Sequence, residues 1–218
     1  MKVTLPTSWK EVTLNQFIEL SKVSGLGFDD LDATCRMLSI LTGVDEEEFL
    51  KVSISDVKKM FAAIKFIDNK SYEKPTQFNY KIKGKKYKFE WDASELLAGE
   101  YIDMQNYIAG GVSENMHKIM AIYLKPVNYF GFKTKENYKK NKEGKYIQTL
   151  DSRKDSAEVF KDNMTMDVVF SCNGFFLNRW KKLILATHQS LGVSSNKAVK
   201  KLEKVMKKEG LKMPTVGN

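Results

Sequence analysis

Cysteine, histidine and arginine are all scarce in this 218-residue chain, and each shortage closes off a class of protein. Two cysteines, Cys35 and Cys172, cannot build a disulfide scaffold, so a reducing compartment is the expectation. His117 and His188 lie far apart, and neither has a second histidine at the i, i+4 spacing of a helical metal site. No apolar run reaches the roughly 18 residues that a spanning helix needs. The opening run Met1-Lys2-Val3-Thr4-Leu5-Pro6 has no apolar centre of the signal-peptide kind. A glycine-rich loop ending in Lys-Ser/Thr and a Gly-x-Ser-x-Gly elbow are also missing, and Lys83-Gly84-Lys85-Lys86 reads as a hairpin turn rather than a phosphate cradle. Only Arg36, Arg153 and Arg179 are arginine. Arginine reads guanine edges and grips phosphate in two places, so base-specific recognition is not expected. No residue is assigned to catalysis, a metal or a cofactor, and the chain is expected not to be an enzyme.

Lysine, by contrast, is abundant. Basic residues number 36 against 27 acidic ones, a net charge of +9. Residues 1–70 carry 9 basic and 11 acidic side chains, whereas residues 126–155 carry 8 and 4, and residues 156–218 carry 11 and 5. The polarity runs from an acidic head to a basic tail. A solvated lysine face is the plain explanation, and an acidic partner surface is the alternative. With 42% hydrophobic and 29% charged residues the chain has a globular composition, long enough for one domain or two small ones.

Helical period dominates the first 70 residues. Thr13-Leu14-Asn15-Gln16 has the spacing of a capping box and precedes an apolar stripe of Phe17, Leu20 and Val23. A second helix carries Leu31, Cys35, Leu38 and Leu41 and closes at Gly43. The run Asp45-Glu46-Glu47-Glu48 suits a first helical turn, where carboxylates meet the positive helix end. A further helix begins near Ser55 and presents Val57, Met60, Phe61 and Ile64. The period then changes. Phe78, Tyr80 and Ile82, then Tyr87, Phe89 and Trp91, alternate with polar residues around Lys83-Gly84, which predicts a β-hairpin near 77–91. Its aromatic face should lie on the helices, since a lone hairpin is marginal in water. Aromatics interleaved with lysine also have the composition of a single-stranded nucleic-acid platform. Two more helices follow, ending at Gly110-Gly111 and at Pro126.

The expectation is therefore a mostly α (α+β) fold: a helical region over 1–126 with one inserted antiparallel hairpin, an arm over 127–155, and a C-terminal helical region over 156–218. The arm holds Tyr129, Phe130, Phe132 and Tyr138 among lysines that include Lys139 and Lys140, and it is read as a docking element. Helix is expected to resume near Ala157, with a break at Asn163-Met164, and to run through a very apolar stretch in which Phe176, Trp180 and Ile184 share a core or subunit seam. A last helix sets Ala198, Leu202, Val205 and Met206 against a face of Lys197, Lys200, Lys201, Lys204, Lys207 and Lys208, which is read as a second docking element. It lacks the Trp or Phe that membrane surfaces usually recruit, so no membrane partner is expected.

Tyr80-Lys81-Ile82-Lys83-Gly84-Lys85-Lys86-Tyr87 followed by Leu96-Leu97-Ala98-Gly99-Glu100-Tyr101-Ile102-Asp103 resembles small proteins in the structural gene blocks of tailed bacteriophages that infect Bacteroidetes, the crAss-like phages among them. Ser8-Trp9, Thr13 to Phe17, Asn115 to Ala121 and the Asn163-to-Phe176 region are similar too. The resemblance implies a virion or assembly protein, made in the host cytoplasm and located in the particle, and carries over no catalytic residue. In that setting the expected role is a ring or connector subunit of the neck or tail, bound to copies of itself and to other virion proteins. A tail assembly chaperone lost from the finished particle is the alternative, and a protein making non-specific contact with DNA is the third reading.

Overall fold

Thr13 and Gln16 open the first helix reciprocally. The Gln16 N–H donates to Thr13 Oγ1 at 3.3 Å, and the Thr13 N–H donates to Gln16 Oε1 at 2.8 Å. In the computed structural model, which describes residues 3–23, 31–68, 78–90, 96–172 and 204, this box precedes α1 (Leu14–Val23). Gln16 Nε2 also donates to the Ile40 and Leu41 carbonyls at 3.1 Å each, near the C-terminus of α2 (Leu31–Thr42). One side chain thus serves the start of one helix and the end of its neighbour. Gly43 then takes φ +71°, as a helix-ending residue does. Asp45 caps α3 (Glu46–Leu50) by accepting from the Glu47 N–H at 3.1 Å, and Ser53 caps α4 (Ile54–Ala63) by accepting from the Asp56 N–H at 3.2 Å.

Trp9 binds these helices to a distant part of the chain. Its ring meets Phe17, Phe66 and Phe170 edge to face, with centroids 5.9, 5.5 and 5.1 Å apart. Such pairs add about 0.5–1.5 kcal/mol each beyond the area they bury. Phe170 belongs to residues 166–172, which are helical and follow α7 (Leu150–Asn163). The helix breaks at Asn163-Met164 as expected. The break is sewn to the start of α1: the Leu14 N–H donates to the Met164 carbonyl at 2.8 Å, and the Met166 N–H to the Val12 carbonyl at 2.9 Å.

The hairpin is β1 (Asn79–Ile82) and β2 (Lys85–Phe89), within the expected 77–91. Lys83 at φ +46° and Gly84 at φ +78° are both left-handed, as a two-residue turn matching the twist of the strands requires. Tyr80, Ile82, Tyr87 and Phe89 are buried, so this part of the aromatic face lies on the helices and is not a nucleic-acid platform, whereas Phe78 is exposed and Trp91 lies outside the described residues. The Tyr87 ring sits 4.7 Å from Phe160 of α7.

The secondary structure departs from the sequence expectation after Tyr123 and in the arm. A third strand, β3 (Leu124–Val127), pairs antiparallel with β2 and completes the sheet order β1-β2-β3, where a helix end broken by Pro126 was expected. An edge strand tolerates a residue without an N–H, which is why Pro126 can stand opposite Tyr87. The other difference is the extent of the arm. Residues 127–155 hold a second hairpin, β4 (Tyr138–Lys140) and β5 (Tyr146–Gln148), and also the first turns of α7. Helix starts at Leu150, not near Ala157, because the Thr149 hydroxyl accepts from the Ser152 N–H at 3.2 Å. Its opening residues Asp151, Ser152, Arg153, Lys154 and Asp155 give no apolar stripe to reveal it.

The fold is mostly α with this small antiparallel sheet. At its centre is α6 (Val112–Tyr123), which packs on α7, α1 and α5 (Ala98–Ala109) and buries Met116, Ile119, Met120, Ile122 and Tyr123. Cys35 and Cys172 are buried free thiols, and burial pushes Cys172 up to about 12, as suits an unreactive core residue. Phe176, Trp180 and Ile184, expected in a seam, lie outside the described residues.

Candidate docking surface

The sheet has one apolar and one basic face. Tyr80, Ile82, Tyr87 and Phe89 point into the core, so the strand alternation turns Lys81, Lys86 and Lys88 outward. Lys86 stands opposite Val127, the last residue of β3, and so beside the loop that leaves it. That loop is built by Asn128. Its Oδ1 accepts from the Phe130 N–H at 3.0 Å and from the Phe132 N–H at 2.9 Å. The Asn128 N–H donates to the Phe132 carbonyl at 2.9 Å, and Gly131 takes φ +86°. An asparagine that binds its own backbone is a turn-forming device. Here it holds Tyr129, Phe130 and Phe132 outward, 78%, 77% and 68% exposed.

Lys86 supports this loop from below. Its Nζ donates to the Tyr129 carbonyl at 3.0 Å and lies 4.0 Å from the centre of the Tyr129 ring. Phe130 meets Tyr129 edge to face at 5.5 Å. Between loop and sheet lies a cleft of about 280 Å³, lined in part by Lys81, Lys86, Tyr129 and Phe130.

Of the sequence-derived docking residues, Tyr129, Phe130 and Phe132 stand together on one loop, and Lys139 and Lys140 are exposed on β4. Tyr138 is a correction. It is 3% exposed, and its hydroxyl donates to the Pro126 carbonyl at 2.9 Å, so it anchors the arm instead of docking on a partner. Burial, reinforced by Glu90 and Glu100, raises the Tyr138 phenol well above its usual value. Lys204 is exposed and helical, whereas Lys197, Lys200, Lys201, Lys207 and Lys208 lie outside the described residues. Lys81 and Lys86 were missed as docking residues. What makes them part of the surface is the pairing of β2 with β3, and no local pattern announces a pairing between residues about 40 positions apart.

Two ion pairs tie neighbouring elements of the fold together. Lys125 of β3 is paired with Glu100 of α5, and the other oxygen of Glu100 accepts from the Leu97 N–H at 3.2 Å. Burial lowers the Lys125 pKa, partly offset by Glu100. Arg153 Nη2 meets Asp103 Oδ2 at 2.7 Å and ties α7 to α5. His117 is buried in α6, and burial first and Lys118 second hold its imidazole below 6.5, as fits a core histidine. Among the described residues no group of three His, Cys, Asp or Glu is placed to hold a metal, and no helix is long and apolar enough to cross a membrane.

Compared with known proteins, the chain matches no family model, no curated protein and no solved structure.

Proposed function

We propose that the protein is a non-enzymatic structural subunit of a tailed bacteriophage particle, a ring or connector component of the neck or tail that binds neighbours through its arm. The observation that carries this reading is the Tyr129-Phe130-Gly131-Phe132 loop. Three large rings are held in water by a turn whose own hydrogen bonds need none of them. Burying an aromatic side chain is worth about 1.5–3 kcal/mol, and buried aromatic anchors carry much of the binding energy of protein–protein interfaces. The likeness of the Tyr80–Tyr87 and Leu96–Asp103 runs to tailed-phage structural proteins supports the particle as the setting. Quantitative mass spectrometry of purified particles tests the reading. A ring subunit is retained in several copies per particle, and absence from the finished particle would replace it with an assembly chaperone.

A further inference from the structure

A second exposed patch, far from the arm in sequence, is its complement in both polarity and charge. At the corner between α3 and α4, Leu50 and Ile54 are 58% and 59% exposed. Beside them in sequence stand Asp45, Glu46, Glu47 and Glu48. Glu48 is paired with Lys51, but Glu46 and Glu47 make no ion pair among the described residues. The arm offers exposed rings with Lys81 and Lys86 behind them. The corner offers exposed aliphatic side chains, with the Glu46 and Glu47 carboxylates beside them in sequence.

We infer that the aromatic loop and basic sheet face dock on the α3–α4 corner of a second copy of this chain. The contact deepens the assembly reading and rests on it. Charge decides the occupant and the geometry. Two copies of the arm would set Lys81, Lys86 and Lys88 against their own kind, so the contact cannot be a symmetric pairing of one patch with itself. It joins arm to corner, head to tail, which gives a ring if the rotation closes and a filament if it does not. The rings also suit a protein pocket better than a nucleic-acid strand. Lys86 covers Tyr129, and Tyr129 and Phe130 meet at 89°, so the pair offers no ledge on which successive bases could stack. Arg153, a strong phosphate ligand by type, is engaged by Asp103.

Two full-length variants test this. The first, Lys86→Glu with Tyr129→Ser and Phe130→Ser, disables the arm. The second, Glu46→Lys with Glu47→Lys and Leu50→Ser, disables the corner. In analytical ultracentrifugation at low salt the wild-type chain is expected to self-associate and to dissociate as salt rises. Each variant alone should associate at least about 30-fold more weakly, the effect of losing a single hot-spot residue of 2 kcal/mol. Mixed in equal amounts, the two should form a 1:1 dimer that grows no further, because one intact arm meets one intact corner. If the arm variant melts early, Lys81→Glu with Phe132→Ser replaces it. A wild-type chain that stays monomeric at all concentrations overturns the inference. Self-association unchanged in both variants, or a mixture that remains two monomers, does the same. A fluorescent single-stranded oligonucleotide held by the monomeric wild type and released by the arm variant would assign the surface to nucleic acid instead. The particle reading fails separately, by absence of the chain from purified virions.

Discussion

Asn128–Phe132 and Asn141–Lys145 close in the same way. In each loop the asparagine Oδ1 accepts from the N–H groups two and four residues on, at 3.0 and 2.9 Å. The asparagine N–H donates to the carbonyl of the fifth residue at 2.9 Å in both, and the fourth residue is a left-handed glycine, Gly131 at φ +86° and Gly144 at φ +77°. The residues between differ completely. One loop carries Tyr129, Phe130 and Phe132; the other carries Lys142, Glu143 and Lys145. The turn therefore asks for asparagine first and glycine fourth and leaves the other positions open. The second loop fills them as an ordinary solvated tip does. The first fills them with rings that water does not favour, so their reason lies outside the turn.

If the arm is a folded platform and not a loose segment, its largest single sensitivity is the residue between the two loops. Tyr138→Ala should cost about 3–5 kcal/mol, the range for emptying a buried aromatic site, and Tyr138→Phe about 1 kcal/mol for the lost bond to Pro126. Urea unfolding monitored by circular dichroism measures both. A Tyr138→Ala protein as stable as the wild type would mean that the arm is not packed on the rest, and the equivalence of the two loops would lose its basis.

The next effect tests the equivalence itself. Asn128→Ala and Asn141→Ala each strip two backbone N–H groups of their acceptor. Each should cost about 1–2 kcal/mol, and the two losses should agree closely. A clear inequality in the urea midpoints would measure how far the Lys86 contacts with Tyr129 hold the aromatic loop without its asparagine.

Much of the fold was legible from the chain because its signals are local. The Thr13–Gln16 box, the Gly43 stop, the break at Asn163-Met164 and the alternation over Tyr80 to Phe89 each act within a few residues, and each stands where the pattern placed it. What could not be read is non-local or polar. The third strand exists because β2 offers it a partner, and α7 begins on a hydroxyl cap in front of charged residues. The docking surface was half legible. Aromatic content marked Tyr129, Phe130 and Phe132, and it marked Tyr138 equally, although one faces the core and three face water. The local signal that separates them is the repeated Asn-x-x-Gly-x spacing: the three exposed rings lie inside such a turn, and Tyr138 opens the strand between the two.

The smallest effect on stability should come from exchanging the contents of the loops. Tyr129→Lys, Phe130→Glu and Phe132→Lys give the first loop the residues of the second. Neither Asn128 nor Gly131 is touched, and the main contact removed is that of Lys86 with the Tyr129 ring, so stability should change by no more than about 1 kcal/mol. Self-association should nevertheless be lost, since the rings that would enter the corner are gone. The reverse graft, Lys142→Tyr, Glu143→Phe and Lys145→Phe, sharpens the same point. Made in the exchanged chain, it restores the rings on the other turn, but there they lack the lysine face of the sheet, where Lys86 both donates to the Tyr129 carbonyl and covers its ring. Aromatic content would then equal the wild type, with only its address altered. Association should stay lost in the ultracentrifuge. If the graft restored it, exposed rings alone would be sufficient, and the pairing of the loop with the basic strand would have no part in recognition.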